Sequence, residues 1–197
     1  MPDGNDGTFA SNGILDSFHA SGASAQTARQ DGLTAGGPDS SRKMAKTDQG
    51  RIKPLKPRFN AVAAQTGLPP ALLAAVASRE SRCGNVLASD GTGDAGNAFG
   101  IMQVDRRFHT IKGTPEPKSQ EHIQQASEIL KGFLDTIVAK FPTQPPERQL
   151  QAAVAAYNCG PGAVASPDAA DSRTTGRDYS NDVWERARFY AAEWDTL

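Results

Sequence analysis

Leu72-Leu73-Ala74-Ala75-Val76-Ala77-Ser78-Arg79-Glu80-Ser81 is an almost unbroken apolar run that ends in a carboxylate, and its reading decides the fold. Pro69 and Pro70 stand just ahead of it, where the first turn of a helix has no use for amide protons. The stretch is therefore predicted as a helix from about Pro70 to Ser81. At helical spacing Leu73, Val76 or Ala77, and Glu80 share one face, and a face of that kind is turned to a core. A carboxyl pressed against apolar neighbours has its charged form disfavoured, so its pKa rises and it can hold a proton near neutral pH, as a general acid must. Taken alone, a Glu at a helix end is ordinarily a solvated residue; the segments that follow decide between the two readings.

Upstream, Pro57 to Gln65 reads as a short helix that Gly67 ends. Downstream, residues 84 to 98 are rich in Gly, Asn and Asp, with Asp90-Gly91 and Gly93-Asp94 as turn signals, and they lead into the apolar stretch Phe99-Gly100-Ile101-Met102-Gln103-Val104. This pattern predicts hairpin loops beside short strands. A long amphipathic helix is expected over roughly Gln120 to Lys140, where Ile123, Ile129, Leu130, Phe133, Leu134, Ile137 and Val138 form one broad face and Pro142 closes it. Glu147 to Asn158 continues as an Ala-rich buried helix stopped by Gly160 and Pro161, and Asp178 to Trp194 closes the chain as an amphipathic helix. The fold class is thus α+β, mostly α, with a small antiparallel sheet.

The 197 residues are enough for one domain with a sizeable core, and the 38% hydrophobic content is lowered chiefly by the first stretch. Residues 1 to about 50 carry few apolar side chains among repeated Gly, Ser, Asp, Thr and Gln, too few to offset the entropy of ordering them alone, so a flexible start is expected. The 21 Lys and Arg against 22 Asp and Glu leave a formal charge of -1, which provides no global field for nucleic acid or acidic surfaces. The opening Met1-Pro2-Asp3-Gly4-Asn5-Asp6-Gly7 has neither a basic flank nor an apolar run, so it does not read as a secretory signal, and nothing later reads as a membrane span. His19, His109 and His122 are scattered and Cys83 and Cys159 are two, so neither a metal nor an organic cofactor is expected, and free thiols are the default. Arg79, Arg82, Arg106 and Arg107 bracket the acidic loop; ion-pair or solvated roles are favoured for them over substrate contact.

Glu80-Ser81-Arg82, then Phe99-Gly100-Ile101-Met102-Gln103-Val104-Asp105, then Ala156-Tyr157-Asn158-Cys159-Gly160 resemble, in order and separation, the goose-type lysozymes and the related lytic transglycosylases. The loop Gly93-Asp94-Ala95-Gly96-Asn97 and the later stretch Thr174 to Val183 add to the resemblance, which runs from about residue 21 to 194. It implies a lysozyme-like fold with the sheet beside an active-site cleft, a catalytic domain over residues 21–197 and a flexible polar tail over residues 1–20. It further implies an inverting muramidase that cuts the β-1,4 bond between N-acetylmuramic acid and N-acetylglucosamine in bacterial peptidoglycan, in antibacterial defence.

By the same resemblance Glu80 is the acid, while Asp94 and Asp105 match the aspartates that position and activate the water. Their settings agree, because a Gly-rich polar loop favours ionised aspartates whereas the end of an apolar helix favours a neutral Glu. Read without the resemblance, Asp94 is a turn residue and Asp105 a cap for the next segment. Tyr157 and Asn158, at the end of a buried helix, offer an aromatic face and an amide to a sugar. His109, Phe133 and Tyr179 are implied as groove residues, with Gln103 supporting them. The expected partners are peptidoglycan and N-acetylglucosamine oligosaccharides, with no nucleic acid and no membrane, for a monomer. The family implies extracellular action, while the chain's opening leaves a cytoplasmic location or unconventional secretion open. Avian members carry two disulfides near the N-terminus, and this chain has no cysteine there, as in several fish members. The rival readings are a lytic transglycosylase, which needs no base aspartates, and a peptidoglycan-binding protein that does not cut.

Overall fold

The computed structural model describes residues 7–197. Seven α-helices follow one another among these residues: α1 (Ala25–Ala28), α2 (Pro38–Ile52), α3 (Lys56–Thr66), α4 (Pro70–Ser81), α5 (Gln120–Lys140), α6 (Pro146–Cys159) and α7 (Tyr179–Glu193). Between α4 and α5 lie three two-residue strands, β1 (Thr92–Gly93), β2 (Ala98–Phe99) and β3 (Val104–Asp105). They pair antiparallel in the order β1-β2-β3, with Phe99 opposite Thr92 on one side and Val104 on the other. The architecture is α+β and mostly helical, as the sequence pattern predicts.

Helix α4 is the axis on which the rest is built. Pro69 enters it in extended conformation, Pro70 occupies its first turn, and every residue from Ala71 to Ser78 is buried. A helix that is apolar all round has to be covered all round; α7 packs along it most closely, with α3 and α2 beside it. Only near its end, at Arg79 and Glu80, does it regain partial exposure. It stops because Arg82 (φ 55°) and Cys83 (φ 54°) turn left-handed, which lets their amides close on the carbonyls of Ser78 and Ala77 at 3.0 and 2.9 Å. The last turn of α4 therefore delivers Glu80 from the core to the surface. Helix α5 packs against α6 and α3, and α3 in turn against α4, so these helices share one core.

The first stretch departs from expectation. Residues 38–52 form α2, which buries Ser41, Met44, Ala45, Asp48 and Ile52. Ahead of it, Leu15 is fully buried, Phe18 stacks on Trp184 with ring centroids 4.6 Å apart, and the Ala20 amide donates to Glu185 at 2.9 Å. Packing thus extends well N-terminal of residue 21; residues 1–6 of the expected tail lie outside the described residues. The physical reason is that much of what this stretch buries is polar and is satisfied by other elements. Asp48 of α2 accepts from Ser78 of α4 at 2.7 Å, and Arg186 of α7 donates to the same Ser78 at 2.9 Å and to Asp182 at 3.0 Å. Asp48, Asp182 and Arg186 are fully buried, so each charge depends on these partners.

Candidate active site

Glu80 sits where α4 emerges. The Tyr179 hydroxyl, at the start of α7, donates to Glu80 Oε1. Burial of the carboxyl pushes its pKa up to about 7, against opposing pulls from the Tyr179 hydrogen bond and the Arg79 guanidinium. Arg79 exerts only a weak pull because its charge is already engaged, with Asp182 at 2.7 Å and Asp178 at 3.0 Å. Burial also lifts the Tyr179 phenol far above its ordinary range, so the hydroxyl remains a donor. One carboxyl oxygen is held by Tyr179, and burial lets the carboxyl keep its proton to a pH well above the ordinary carboxylate range.

The hairpins supply the aspartates. Asp94 (φ 48°), Ala95 (φ 53°) and Gln103 (φ 51°) take left-handed backbone conformations that cost energy outside glycine, and together they fold the loops back on each other. Gly93 leaves room for the Gln103 side chain: a Cβ there would lie 2.1 Å from Oε1 of Gln103 and would push that amide aside. The Gln103 amide in turn donates to the Gly100 carbonyl at 2.8 Å. Gly100 (φ 72°) lies against the buried His122 ring, whose Nε2 accepts from the Met102 amide at 3.1 Å. Burial lowers the His122 pKa to about 4, so it is a neutral acceptor that fixes the hairpin.

Arg107 ties the two aspartates together. Its guanidinium binds Asp105 through Nη2 at 2.6 Å and Nε at 3.0 Å, its backbone amide adds a bond of 2.8 Å, and Nη2 reaches Asp94 at 3.4 Å. These bonds from Arg107 hold the Asp105 carboxyl below the ordinary aspartate range. Asp94, on the exposed side of the loop, has the looser hold. Three of the bracketing arginines are thus ion-paired: Arg79, Arg107, and Arg82 with Asp31 at 2.5 Å and Asp48 at 3.3 Å.

Beside the aspartates opens a cleft of about 540 Å³. Six of the residues singled out from sequence line it: Gln103, Asp105, His109, Phe133, Tyr157 and Asn158. The Tyr157 hydroxyl donates to the Met102 carbonyl at 2.8 Å, which joins α6 to the hairpin. Asn158 accepts from the Thr175 amide at 2.8 Å, and the His109 ring meets Phe133 edge-on at 6.4 Å. Tyr179 is placed differently: it is buried, with its hydroxyl on Glu80. Asp94 joins the group through Arg107. Cys83 and Cys159 are free thiols, the first buried and the second partly exposed in the cleft wall. Sequence reasoning missed Arg107 as the tie between the aspartates, and it missed the cleft residues Phe108, Ile129 and Pro161. The sequence offered Arg107 only as one of four arginines bracketing the acidic loop, with an ion-pair or solvated role expected and no partner named.

Glu80 does not line the cleft itself, but its charge acts on Tyr157, which does. A carboxyl that holds its proton at the end of α4, two aspartates tied by Arg107, and a largely apolar cleft with aromatic walls fit acid-assisted cleavage of a saccharide. Comparison with known proteins agrees with this chemistry. The family model described as Lysozyme g matches residues 13–193. A lysozyme g of Epinephelus coioides is 46% identical over 92% of this chain and 97% of its own length, and one of Takifugu rubripes is 44% identical over 90% and 95%. A lysozyme g of Gallus gallus is 39% identical over 90% of this chain and 83% of its own. The chain belongs to the lysozyme g family.

Proposed function

We propose that this protein is a muramidase that hydrolyses the β-1,4 bond between N-acetylmuramic acid and N-acetylglucosamine in bacterial peptidoglycan, inverting the anomeric centre, in antibacterial defence. The observation that carries the reading is the Glu80 carboxyl, raised to about 7 and held by Tyr179 at the end of a buried helix. In this scheme Glu80 passes its proton to the glycosidic oxygen as the bond to C1 breaks. A water on the opposite face of the sugar attacks C1 and gives its proton to Asp94. Asp105, pinned by Arg107, orients that water and holds negative charge near the developing oxocarbenium ion. The looser hold on Asp94 supports its assignment as the base, since a carboxylate already accepting several bonds from a guanidinium is a weak one. Tyr157 and Phe133 supply apolar faces for sugar rings, and Asn158, Gln103 and His109 supply polar edges. Action as a monomer on bacterial walls outside the producing cell belongs to the same proposal.

The test is digestion of purified peptidoglycan by wild type and by Glu80→Gln, with product ends resolved by mass spectrometry. Reducing N-acetylmuramic acid ends are expected from wild type, with turnover by the variant down by several orders of magnitude. Anhydro ends would make the enzyme a transglycosylase, and near-normal turnover by the variant would remove Glu80 from the chemistry.

A further inference from the structure

Two large apolar side chains stand clear of the surface among the described residues, Phe108 at 79% exposure and Val86 at 60%. Val86 lies on the loop after α4, outside the cleft lining, whereas Phe108 forms part of that lining. A single exposed ring is ordinary on a protein surface; what sets Phe108 apart is its place in the cleft lining, where an exposed ring is available to a ligand. Its backbone is not free to move, because the turn leaving β3 is closed by bonds from the Phe108 and His109 amides to the Asp105 carbonyl at 3.3 and 2.9 Å. The Arg107 guanidinium lies 6.0 Å from the ring centroid and is itself anchored on Asp105, which restrains the ring on one side. His109 follows directly in the chain and meets Phe133 edge-on, and all three residues line the cleft, so Phe108 adds an exposed ring to its aromatic wall.

We infer that Phe108 is a specificity-determining residue: a stacking platform at the lip of the cleft for one pyranose ring of the glycan that is bound but not cut. The occupant is a saccharide because the lip continues the wall that the proposed function assigns to sugar rings, and the inference rests on that reading. The flat, apolar face of a pyranose suits a phenyl ring, and an exposed platform releases it without trapping product.

The experiment measures kcat and KM on solubilised, uncrosslinked peptidoglycan strands for wild type, Phe108→Ala, Phe108→Leu, Phe108→Trp and Val86→Ala. KM should rise about tenfold in Phe108→Ala with kcat within about twofold, because the lost contact is made equally in ground and transition states. Phe108→Trp should restore KM, Phe108→Leu should not, and Val86→Ala should match wild type. A KM for Phe108→Ala within about twofold of wild type would overturn the inference. So would an unchanged KM with a fallen kcat, which would mean that Phe108 acts through Asp105. Wild type that turns over no strands would instead sink the muramidase reading, and the platform with it.

Discussion

Replacing Glu80 with Gln should abolish activity and stabilise the protein, with a stability gain that grows with pH. Burial holds the carboxyl at about 7 instead of its ordinary 4.5. Because the folded value lies above the unfolded one, the folded state retains a proton over this interval that the unfolded state has released. The stability this proton contributes is fully present below about pH 4.5 and is lost as pH rises through about 7. At about 1.4 kcal/mol for each tenfold change in proton affinity, the interval corresponds to an upper bound of about 3–4 kcal/mol. The side chain keeps partial exposure, so solvent screening reduces this to about 2 kcal/mol. Gln is neutral at every pH and its Oε1 accepts the Tyr179 hydroxyl as the carboxyl does, so packing is preserved. Melting temperatures of wild type and variant, measured from pH 4 to pH 9, should be nearly equal at the acid end. They should diverge in favour of the variant by about 4–8 °C at the alkaline end, taking about 2–4 °C per kcal/mol for a chain of this size. Other titrating groups cancel in the difference. A difference that does not vary with pH, or a variant less stable than wild type at pH 9, would refute the claim that Glu80 is a strained, desolvated acid.

Asp94→Asn should lower kcat on peptidoglycan by about 100-fold or more and Asp105→Asn by about tenfold, both with near-normal melting; the reverse order would assign the base to Asp105. Asp182→Asn leaves the guanidiniums of Arg186 and Arg79 without the buried carboxylate they share, and should cost about 3–5 kcal/mol by denaturant titration. A loss under about 1 kcal/mol would show that the buried network is not what supports the end of α4. Gly100→Ala places a methyl 2.3 Å from Cε1 of the buried His122 ring at a φ of +72°, and should destabilise by about 2–4 kcal/mol while also lowering activity through the displaced hairpin. Unchanged melting would contradict the hairpin's dependence on that contact.

The elements that could be read from the sequence are those with local punctuation. Pro70, Gly67, Pro142 and Gly160 mark helix ends that the structure places within a residue or two of expectation, and α4 and α5 carry enough apolar residues to declare themselves. Helix α2 was illegible because its inward stripe includes Ser41 and Asp48, and a buried polar stripe makes sense only beside Ser78 and Arg186, more than a hundred residues apart in sequence. The same limit applied to the site. Glu80 was visible as a carboxylate at the end of an apolar helix, whereas its partner Tyr179 lies 99 residues away and looked like a groove residue. Arg107 reaches Asp105 from two residues away, but it reaches Asp94 only because the hairpins fold together through left-handed Asp94, Ala95 and Gln103, none of which is a glycine. Phe108 read as one more loop residue until its exposure and its place on the cleft wall were known together.

The central claim is that Glu80 gives a proton to the leaving oxygen while water attacks from the opposite face. The most direct measurement is proton NMR of the first products formed from peptidoglycan strands, recorded before mutarotation, with wild type and Glu80→Gln in parallel. Reducing N-acetylmuramic acid should appear first as the α-anomer with wild type and not at all with the variant. First appearance of the β-anomer, or α-anomer formed by the variant at a comparable rate, would contradict it.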